Sequence, residues 1–440
     1  MGRGGGGPDR SRRAGTWAAV AVHVLFVSGV GLSTTFVNVY LWRHGGGLGV
    51  VLDYHVALFL ALVPGGAAAG LMIGRRDRVS ALRLGVVSHA AFFLAVLLLG
   101  RGAPAWAWPL GAVMGAGMGF YYVALSVLVL DLTPDGRAGP LVGAMDRARL
   151  AAMTITPFVA AFAIDRLTPA RGYPAVFAAS LVLFVAAALY SGRLAARRDG
   201  RPLAIAATLW RARPRWRTFL AAQGLRGVRD GVFLFLSAIL VFERARSELV
   251  LGLFALGTGA VSWLLTRWVA VRVVERQRRL RLIALGVVLS VGAAAALAFL
   301  PGLWGVVPFG LLEALAVPLV AVPFSAESYA VVREDARASR RGVGYMVARE
   351  VPLNFGRLVG VALLLVVTEA LGRPGLLGAV LVALSLCNVG AWLVLSRLAE
   401  RPAQRGRRRR QAPLRRPAHP ERAPMLYRAR AARQRPGRGG

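Results

Sequence analysis

The stretch YHVALFLALVPGGAAAGLMIGRRDRVSALRLGVVSHAAFFLAVLLL (Tyr54–Leu99) decides the fold. It contains two apolar runs, Tyr54–Ile73 and Leu82–Leu99, with a short arginine-rich turn between them. An α-helix of about 20 mostly apolar residues is long enough to cross the hydrocarbon core of a bilayer. The stretch therefore predicts two membrane-spanning helices joined by a charged turn.

Ten further apolar runs of similar length flank this pair, so the sequence predicts twelve spans. A polar gap at residues 195–217 divides them into two sets of six. We therefore predict an all-α integral membrane protein with an N-terminal six-helix bundle at residues 17–194 and a C-terminal one at residues 218–398. The further runs are Trp17–Leu41, Ala105–Leu130, Leu141–Ile164, Tyr173–Leu194, Phe219–Val241, Val250–Ala270, Leu282–Leu300, Leu303–Phe324, Tyr345–Val367 and Leu376–Leu398.

The placement of arginine sets the orientation of these spans. All 55 basic residues are arginine, and they are concentrated in every second loop. With the N-terminus inside, the inner arm and loops hold 28 arginines, the segment from Arg397 onward holds 15, and the outer loops hold seven. Positive residues remain on the cytoplasmic side. We therefore predict a basic cytoplasmic arm at residues 1–16, a central cytoplasmic loop at residues 195–217 and a disordered basic cytoplasmic tail at residues 399–440.

The composition excludes several classes of protein. The chain is 56% hydrophobic with a mean hydropathy of +0.57, which is too apolar for a soluble protein of this length. The net charge of +35 would suggest nucleic acid in a soluble protein, but membrane topology accounts for it here. The single cysteine, Cys387, can form neither an internal disulfide nor a metal site. No Walker loop or HExxH motif is present, so we expect no enzyme and no cofactor.

The two halves repeat one short pattern. GRRDRVSALRLGVV (Gly74–Val87) follows the second span, and VERQRRLRLIALGVV (Val274–Val288) follows the eighth. Each has a basic turn with one acid, then leucines, then Gly-Val-Val in the next helix. Similar segments at corresponding positions of the two halves favour a duplicated bundle.

The twelve spans, the central loop and the basic second-to-third loop resemble the major facilitator superfamily of secondary transporters. The resemblance implies a gating loop between the second and third spans. Gly70 fits the first position of the family's gating-loop motif, Gly74 stands where its aspartate would be, and Asp77 and Arg78 come three residues late. The chain is also similar to an uncharacterised bacterial group of the superfamily. The resemblance to that group lies in FVNVYLWR (Phe36–Arg43), GFYYVAL (Gly119–Leu125), GLRGVRDGVFLFL (Gly224–Leu236) and REVPLNFGR (Arg349–Arg357).

The resemblance implies a central cavity lined by the first, fourth, seventh and tenth spans. The distribution of polar residues favours nearly the same set, with the eleventh span added. The third, sixth, ninth and twelfth spans are almost wholly apolar, so we predict that they face lipid. Gly111, Gly115 and Gly119 of the fourth span lie at the small-xxx-small spacing that permits close helix packing.

Ionisable side chains inside a span are costly and indicate functional sites. In the seventh span, Arg226 and Asp230 are four residues apart and can pair, while Arg226 and Arg229 could instead bind an anionic substrate. In the eleventh span, Glu350, Asn354 and Arg357 form a polar stripe two turns long. We interpret Glu350 and Arg357 as a structural ion pair.

Glu313 is a lone acid near the middle of the tenth span. A lone carboxyl in a medium of low dielectric has a raised pKa and can exchange protons near neutral pH, as a proton-coupled carrier requires. The alternative is a structural ion pair with Arg226, Arg229 or Arg357. Sequence alone leaves both interpretations open.

Three polar residues of the N-terminal half complete the candidate site. Asn38, near the outer end of the first span, could contact substrate or form interhelical hydrogen bonds. Tyr121 and Tyr122 follow the glycine stripe of the fourth span, and one of them is expected to face the cavity.

The sequence therefore predicts a monomeric secondary transporter of the bacterial inner membrane, whose partners are the lipid bilayer, a small solute and the proton as coupling ion. The rival interpretation is a non-transporting sensor or scaffold built on the same bundle. A central cavity lined by Arg226, Asp230, Glu313 and Arg357 would favour the transporter. A third possibility, a lipid-handling carrier, predicts a lateral opening to the bilayer.

Overall fold

The computed structural model describes residues 7–132, 139–196, 209, 214–273, 275–334, 342–370 and 377–410. Residues 1–398 form one compact unit and residues 399–440 another. A 3-10 turn, Gly100–Trp106, joins α3 to α4, and a π-helical turn, Val366–Ala370, follows α12. The helices are α1 Gly7–His44, α2 Leu48–Arg75, α3 Arg78–Leu99, α4 Ala107–Leu132, α5 Gly139–Leu167, α6 Pro169–Tyr190, α7 Pro214–Ala245, α8 Glu248–Ala270, α9 Arg276–Phe299, α10 Gly302–Glu334, α11 Gly342–Ala348, α12 Glu350–Leu365 and α13 Leu377–Arg410.

Ten helical stretches within the described ranges are long and apolar enough to cross a membrane. One of them, Arg78–Val129, has 52 residues and contains α3 and all but the last three residues of α4. A straight helix of that length would measure about 78 Å, more than twice a bilayer core. Helix α7 is not among the ten, because it carries Arg226, Arg229 and Asp230 in its middle. Half of its residues are nevertheless buried.

Several predicted boundaries differ from the observed ones. Helix α1 begins at Gly7, inside the predicted arm, and α7 begins at Pro214, inside the predicted central loop. Helix α13 continues to Arg410, so the first twelve residues of the predicted disordered tail are helical. Apolar runs mark where a helix is buried in lipid, whereas the helical hydrogen-bond ladder continues into polar sequence. Residues 1–6, 197–208, 210–213 and 411–440 lie outside the described residues.

The helix breaks follow from local chemistry. Asp77 caps the start of α3 by accepting a hydrogen bond from the backbone N–H of Ser80 at 2.8 Å. Gly100 ends α3 with a φ of +51°, a conformation that favours glycine. The predicted eleventh span is divided into α11 and α12 at Arg349. Pro352 explains this break, because its ring excludes the carbonyl of Ala348 and it has no N–H to donate.

The glycine stripe of α4 forms a close helix contact, as its spacing predicted, and the partner is α2. A Cβ atom at Gly111 or Gly115 would overlap the carbonyl oxygen of Tyr54 or Leu58, respectively. A similar close contact at a glycine joins α7 to α12, where a Cβ at Gly360 would overlap the carbonyl oxygen of Val228.

The repeated sequence pattern corresponds to a repeated packing contact. A Cβ at Gly85 of α3 would overlap the backbone of Tyr121 in α4. A Cβ at Gly286 of α9 would lie 2.9 Å from Leu319 of α10. Each Gly-Val-Val thus allows the third helix of its half to approach the fourth. The N-terminal half comprises α1–α6 and the C-terminal half α7–α13, and they meet mainly where α2 faces α12 and α5 faces α8.

Candidate functional site

A cavity of about 1410 Å³ lies between the two halves. Its walls come from α1, α2, α4 and α5 on one side and from α7, α8, α10, α11 and α12 on the other. Among the residues whose side chains the structure describes, none of α3, α6, α9 or α13 lines it. Instead, these helices expose large apolar side chains such as Leu98 and Leu189. The spans predicted to line the cavity do line it, together with α2, α5 and α8. That the other four helices face lipid stays a prediction.

The cavity extends toward the face that carries the α2–α3 and α8–α9 turns, here named the arginine-rich face. Its wall includes Leu71 near the end of α2 and Tyr329 near the end of α10. The opposite face is closed by contacts between the halves. Arg43 of α1 donates to Glu248 of α8 at 2.9 Å, and the rings of Trp42 and Phe242 meet edge to face at 6.0 Å.

The charged residues of α7 and α10 form paired clusters. Arg229 donates a hydrogen bond to Glu313, and its side chain is only 5% exposed. Arg226 pairs with Asp230, with Nε and Oδ2 3.1 Å apart, as its spacing predicted. Arg229 also lies 3.9 Å from Asp230. The sequence left Arg226, Arg229 and Arg357 as possible partners of Glu313, and the structure shows Arg229 as the partner.

Half of the predicted cavity lining is observed. Of the four residues predicted, Glu313 and Arg357 line the cavity, whereas Arg226 and Asp230 do not. Arg229 also lies outside the lining. The guanidinium of Arg229 lies over the ring of Phe233 at 4.1 Å, and that of Arg226 lies 5.3 Å from the ring of Phe324. The sequence predicted that these charged residues lie inside the seventh span, but it could not show which of them face the cavity.

The polar stripe of α12 lines the cavity, but its predicted ion pair is wrong. Glu350 accepts a hydrogen bond from the neighbouring Arg349 at 3.1 Å rather than from Arg357. Arg357 donates to Asn354 at 2.9 Å, and Asn354 donates to the carbonyl of Glu350 at 2.8 Å. Residues seven apart are separated by about 10 Å along a helix, so Asn354 occupies the space between the two charges.

The tyrosines of α4 divide as expected between core and cavity. Tyr122 lines the cavity and is 43% exposed, whereas Tyr121 is fully buried. The Tyr121 hydroxyl lies 2.9 Å from Nδ1 of His23, and its ring stacks on Phe26. Asn38 is buried and borders a separate void of about 60 Å³ that Arg357 also lines.

The predicted gating-loop residues have separate positions. Gly70 lines the cavity, while Asp77 caps α3 and the Arg78 side chain is buried at the start of that helix. Burial would raise the pKa of Asp77, but hydrogen bonds from the Ser80 side chain and from backbone N–H groups outweigh it. The pKa of Asp77 is therefore lower than usual.

Comparison with known proteins places the chain in a family. No family model matches it. YqgE, an uncharacterised protein of Bacillus subtilis (strain 168), is 34% identical over 350 residues, which cover 79% of this chain and 81% of YqgE. The chain belongs to the YqgE family. An uncharacterised protein in the sodM 3′ region of Geobacillus stearothermophilus is 36% identical over 154 residues, 35% of this chain and 72% of that protein.

Solved transporter structures share the fold of this YqgE-family chain. The nucleoside transporter NupG aligns with a TM-score of 0.68 at 13% identity, covering 87% of this chain and 99% of NupG. The fucose:proton symporter FucP of E. coli aligns at 0.59 and 13% identity, over 88% of this chain and 99% of FucP. A D-xylose-proton symporter aligns at 0.60 and 14% identity, over 87% and 95%. The fold is that of the major facilitator superfamily.

Several cavity residues of this YqgE-family chain were not selected from sequence. Asp146 and Arg149 lie in the first half of α5, and Thr258 and Ser262 lie on α8. Arg149 lies at one end of the predicted span Leu141–Ile164 and was counted with the loop arginines. Hydroxyl residues on α8 are indistinguishable in sequence from ordinary packing residues. His23 also lines the cavity. Within the described ranges, no three His, Cys, Asp or Glu side chains cluster as ligands for a metal ion.

Proposed function

We propose that this chain is a secondary active transporter that moves a small solute across the bacterial inner membrane by alternating access. The observation that carries the proposal is the cavity of about 1410 Å³ between two halves, which extends toward one face while side-chain contacts close the other. A cavity accessible from one face at a time is what a carrier requires. The sensor or scaffold interpretation predicts a bundle with Arg226, Asp230, Glu313 and Arg357 fully paired and no cavity. The first three are paired, but the cavity is present, and it supports the transporter.

The proposed topology has twelve crossings and cytoplasmic termini. Two crossings, α3 and α4, share the 52-residue stretch Arg78–Val129, and α7 adds a crossing whose charged residues are paired inside the protein. Helices α11 and α12 together form the eleventh. The arginine-rich face is then cytoplasmic, in agreement with the positive-inside rule.

We further propose that Glu313 couples transport to protons. Its carboxylate lines the cavity and pairs with Arg229, which lies 3.9 Å from a second carboxylate, Asp230. Protonation of Glu313 would release Arg229 toward Asp230, so binding of one proton would rearrange contacts between α7 and α10. This exchange of partners would link occupancy of the proton site to helix position.

The test is proton flux in proteoliposomes that contain a pH-sensitive dye. Solutes are screened for acceleration of proton entry under an imposed pH gradient, and the Glu313→Gln variant is then compared with wild type. We expect Glu313→Gln to abolish the solute-dependent flux. Glu275→Gln is the matched control, because Glu275 is exposed and lies outside the cavity at the start of α9. Unchanged flux in Glu313→Gln would remove Glu313 from the mechanism.

A further inference from the structure

The cavity wall carries three arginines and three carboxylates, but they are not all paired with one another. Among the described residues, three carboxylates line the cavity: Asp146, Glu313 and Glu350. Each has an arginine partner. Asp146 lies 3.5 Å from Arg149, and Glu350 and Glu313 pair with Arg349 and Arg229, respectively.

Arg357 is the cavity-lining arginine without a carboxylate partner among the described residues. Its Nη1 donates to the neutral amide of Asn354 at 2.9 Å, and its Cζ lies 5.9 Å from the ring centroid of Phe59. Its Nε is buried and has no hydrogen-bond partner in the described part of the chain. A guanidinium cannot lose its proton in a protein, so its charge persists.

Arg357 also occupies a central position. It lies near the middle of α12, where that helix meets α2 of the other half, and it borders both the main cavity and the 60 Å³ void beside Asn38. The Nε of this guanidinium is buried, and a buried charged group without a partner is unfavourable unless an anion neutralises it. A guanidinium presents parallel N–H donors that match the oxygens of a carboxylate or phosphate.

We propose that Arg357 binds the anionic head group of the transported solute. The remaining wall near the middle of the bundle is mostly apolar and includes Leu62, Met118, Leu234 and Phe309. The site therefore fits an organic anion with one carboxylate or phosphate and an apolar body. The inference rests on the proposed function, since it names the substrate class of the same cavity.

The experiment compares three probes of one shape: 2-naphthoate, 2-naphthyl phosphate and the neutral 2-naphthamide. Binding to the full-length protein in phosphatidylcholine nanodiscs is measured by calorimetry, with empty discs as the blank. We expect at least one anion to bind at least tenfold more tightly than the amide. Arg357→Gln should reduce this preference to less than twofold, and Arg357→Lys should keep part of it because the charge remains.

Arg83→Gln is the matched control. It removes one arginine that lies outside the cavity and bonds to Ser191, so the anion preference should be unchanged. A wild-type protein without anion preference, or an Arg357→Gln variant that keeps it, overturns the proposal. If Arg357→Gln does not fold, two measurements still test the proposal. They are the preference of the wild-type protein for the anions over the amide, and the partial retention of that preference in Arg357→Lys.

Two further arms identify the source of the anion and separate this inference from transport itself. In nanodiscs with phosphatidylglycerol, loss of naphthoate binding would support Arg357 as an anion site and identify a lipid head group as its occupant. Unchanged binding would support a soluble anion. Binding is measured at equilibrium without a gradient, so the two tests are independent. A carrier of neutral solutes would show solute-dependent proton flux in proteoliposomes but no preference for the anionic probes in nanodiscs.

Discussion

Arg229 illustrates how a charge is maintained inside the bundle. Its side chain is 5% exposed, yet it contacts Glu313, lies 3.9 Å from Asp230 and packs over the ring of Phe233. Sequence identified all three charged residues as members of the site, because charge inside an apolar run is costly. It could not choose the partner of Glu313, since that choice depends on the rotation of α7 against α10.

Removal of one member of this pair should therefore destabilise the protein. Arg229→Gln leaves Glu313 without its main partner, and breaking a buried pair costs about 3–5 kcal/mol. We expect a lower unfolding midpoint in detergent and partial recovery in the double variant Arg229→Gln with Glu313→Gln. If the single and double variants were equally stable, the two charges would not be coupled.

Asp77 provides a second prediction, on the dependence of stability on pH. Because its pKa is lowered in the folded state, its carboxylate stabilises the fold above the ordinary pKa of aspartate, and this contribution is lost as pH falls through the lowered value. Asp77→Ala should cost about 1 kcal/mol at pH 7 through loss of the helix cap. Thermal unfolding at pH 7 and pH 3 checks this, and an equal deficit at both pH values would contradict it.

At the scale of helices, small residues decide how closely neighbours approach. The spacing of Gly111, Gly115 and Gly119 predicted a close contact of α4, and the structure supplies α2 as the partner. Sequence could not predict that partner, because the small-residue pattern marks a contact face on one helix only. The α11–α12 break at Arg349 was also missed, although Pro352 was the signal for it.

The same substitution, glycine to alanine, at two positions tests this packing. Gly115→Ala places a methyl group against the Leu58 carbonyl, and such overpacking costs about 1–3 kcal/mol. Gly257→Ala on α8 meets nothing within 4 Å and should be neutral or slightly stabilising. Unfolding midpoints in one detergent compare them. Equal effects of the two substitutions would exclude a close α2–α4 contact.

At the scale of the whole molecule, the two ends of the cavity differ. The arginine-rich face is separated from the opposite face by contacts that join the halves, above all the Arg43–Glu248 pair, which Tyr173 supports with a hydroxyl 3.3 Å from the same carboxylate. Charge placement predicted which loops share a face. The contacts that close the other face join residues about 200 positions apart, and no local pattern reveals them.

Weakening this closure should favour the opposite conformation. Arg43→Gln removes the charge that holds Glu248, so the population open to the outer face should increase. The measure is the rate at which a cysteine in the cavity, Ser237→Cys, reacts with an impermeant maleimide in right-side-out vesicles. We expect a several-fold increase over the Ser237→Cys parent, and an unchanged rate would mean that the pair does not contribute to closure.

The accessibility of Ser237→Cys also tests alternating access most directly. The natural cysteine is first removed by Cys387→Ser, and Arg101→Cys and Arg76→Cys mark the outer and the arginine-rich faces. We predict that an impermeant maleimide labels Ser237→Cys in both right-side-out and inverted vesicles, while each marker reacts in one orientation only. Labelling of Ser237→Cys from a single face, or from neither, would contradict a carrier that exposes its cavity to each side in turn.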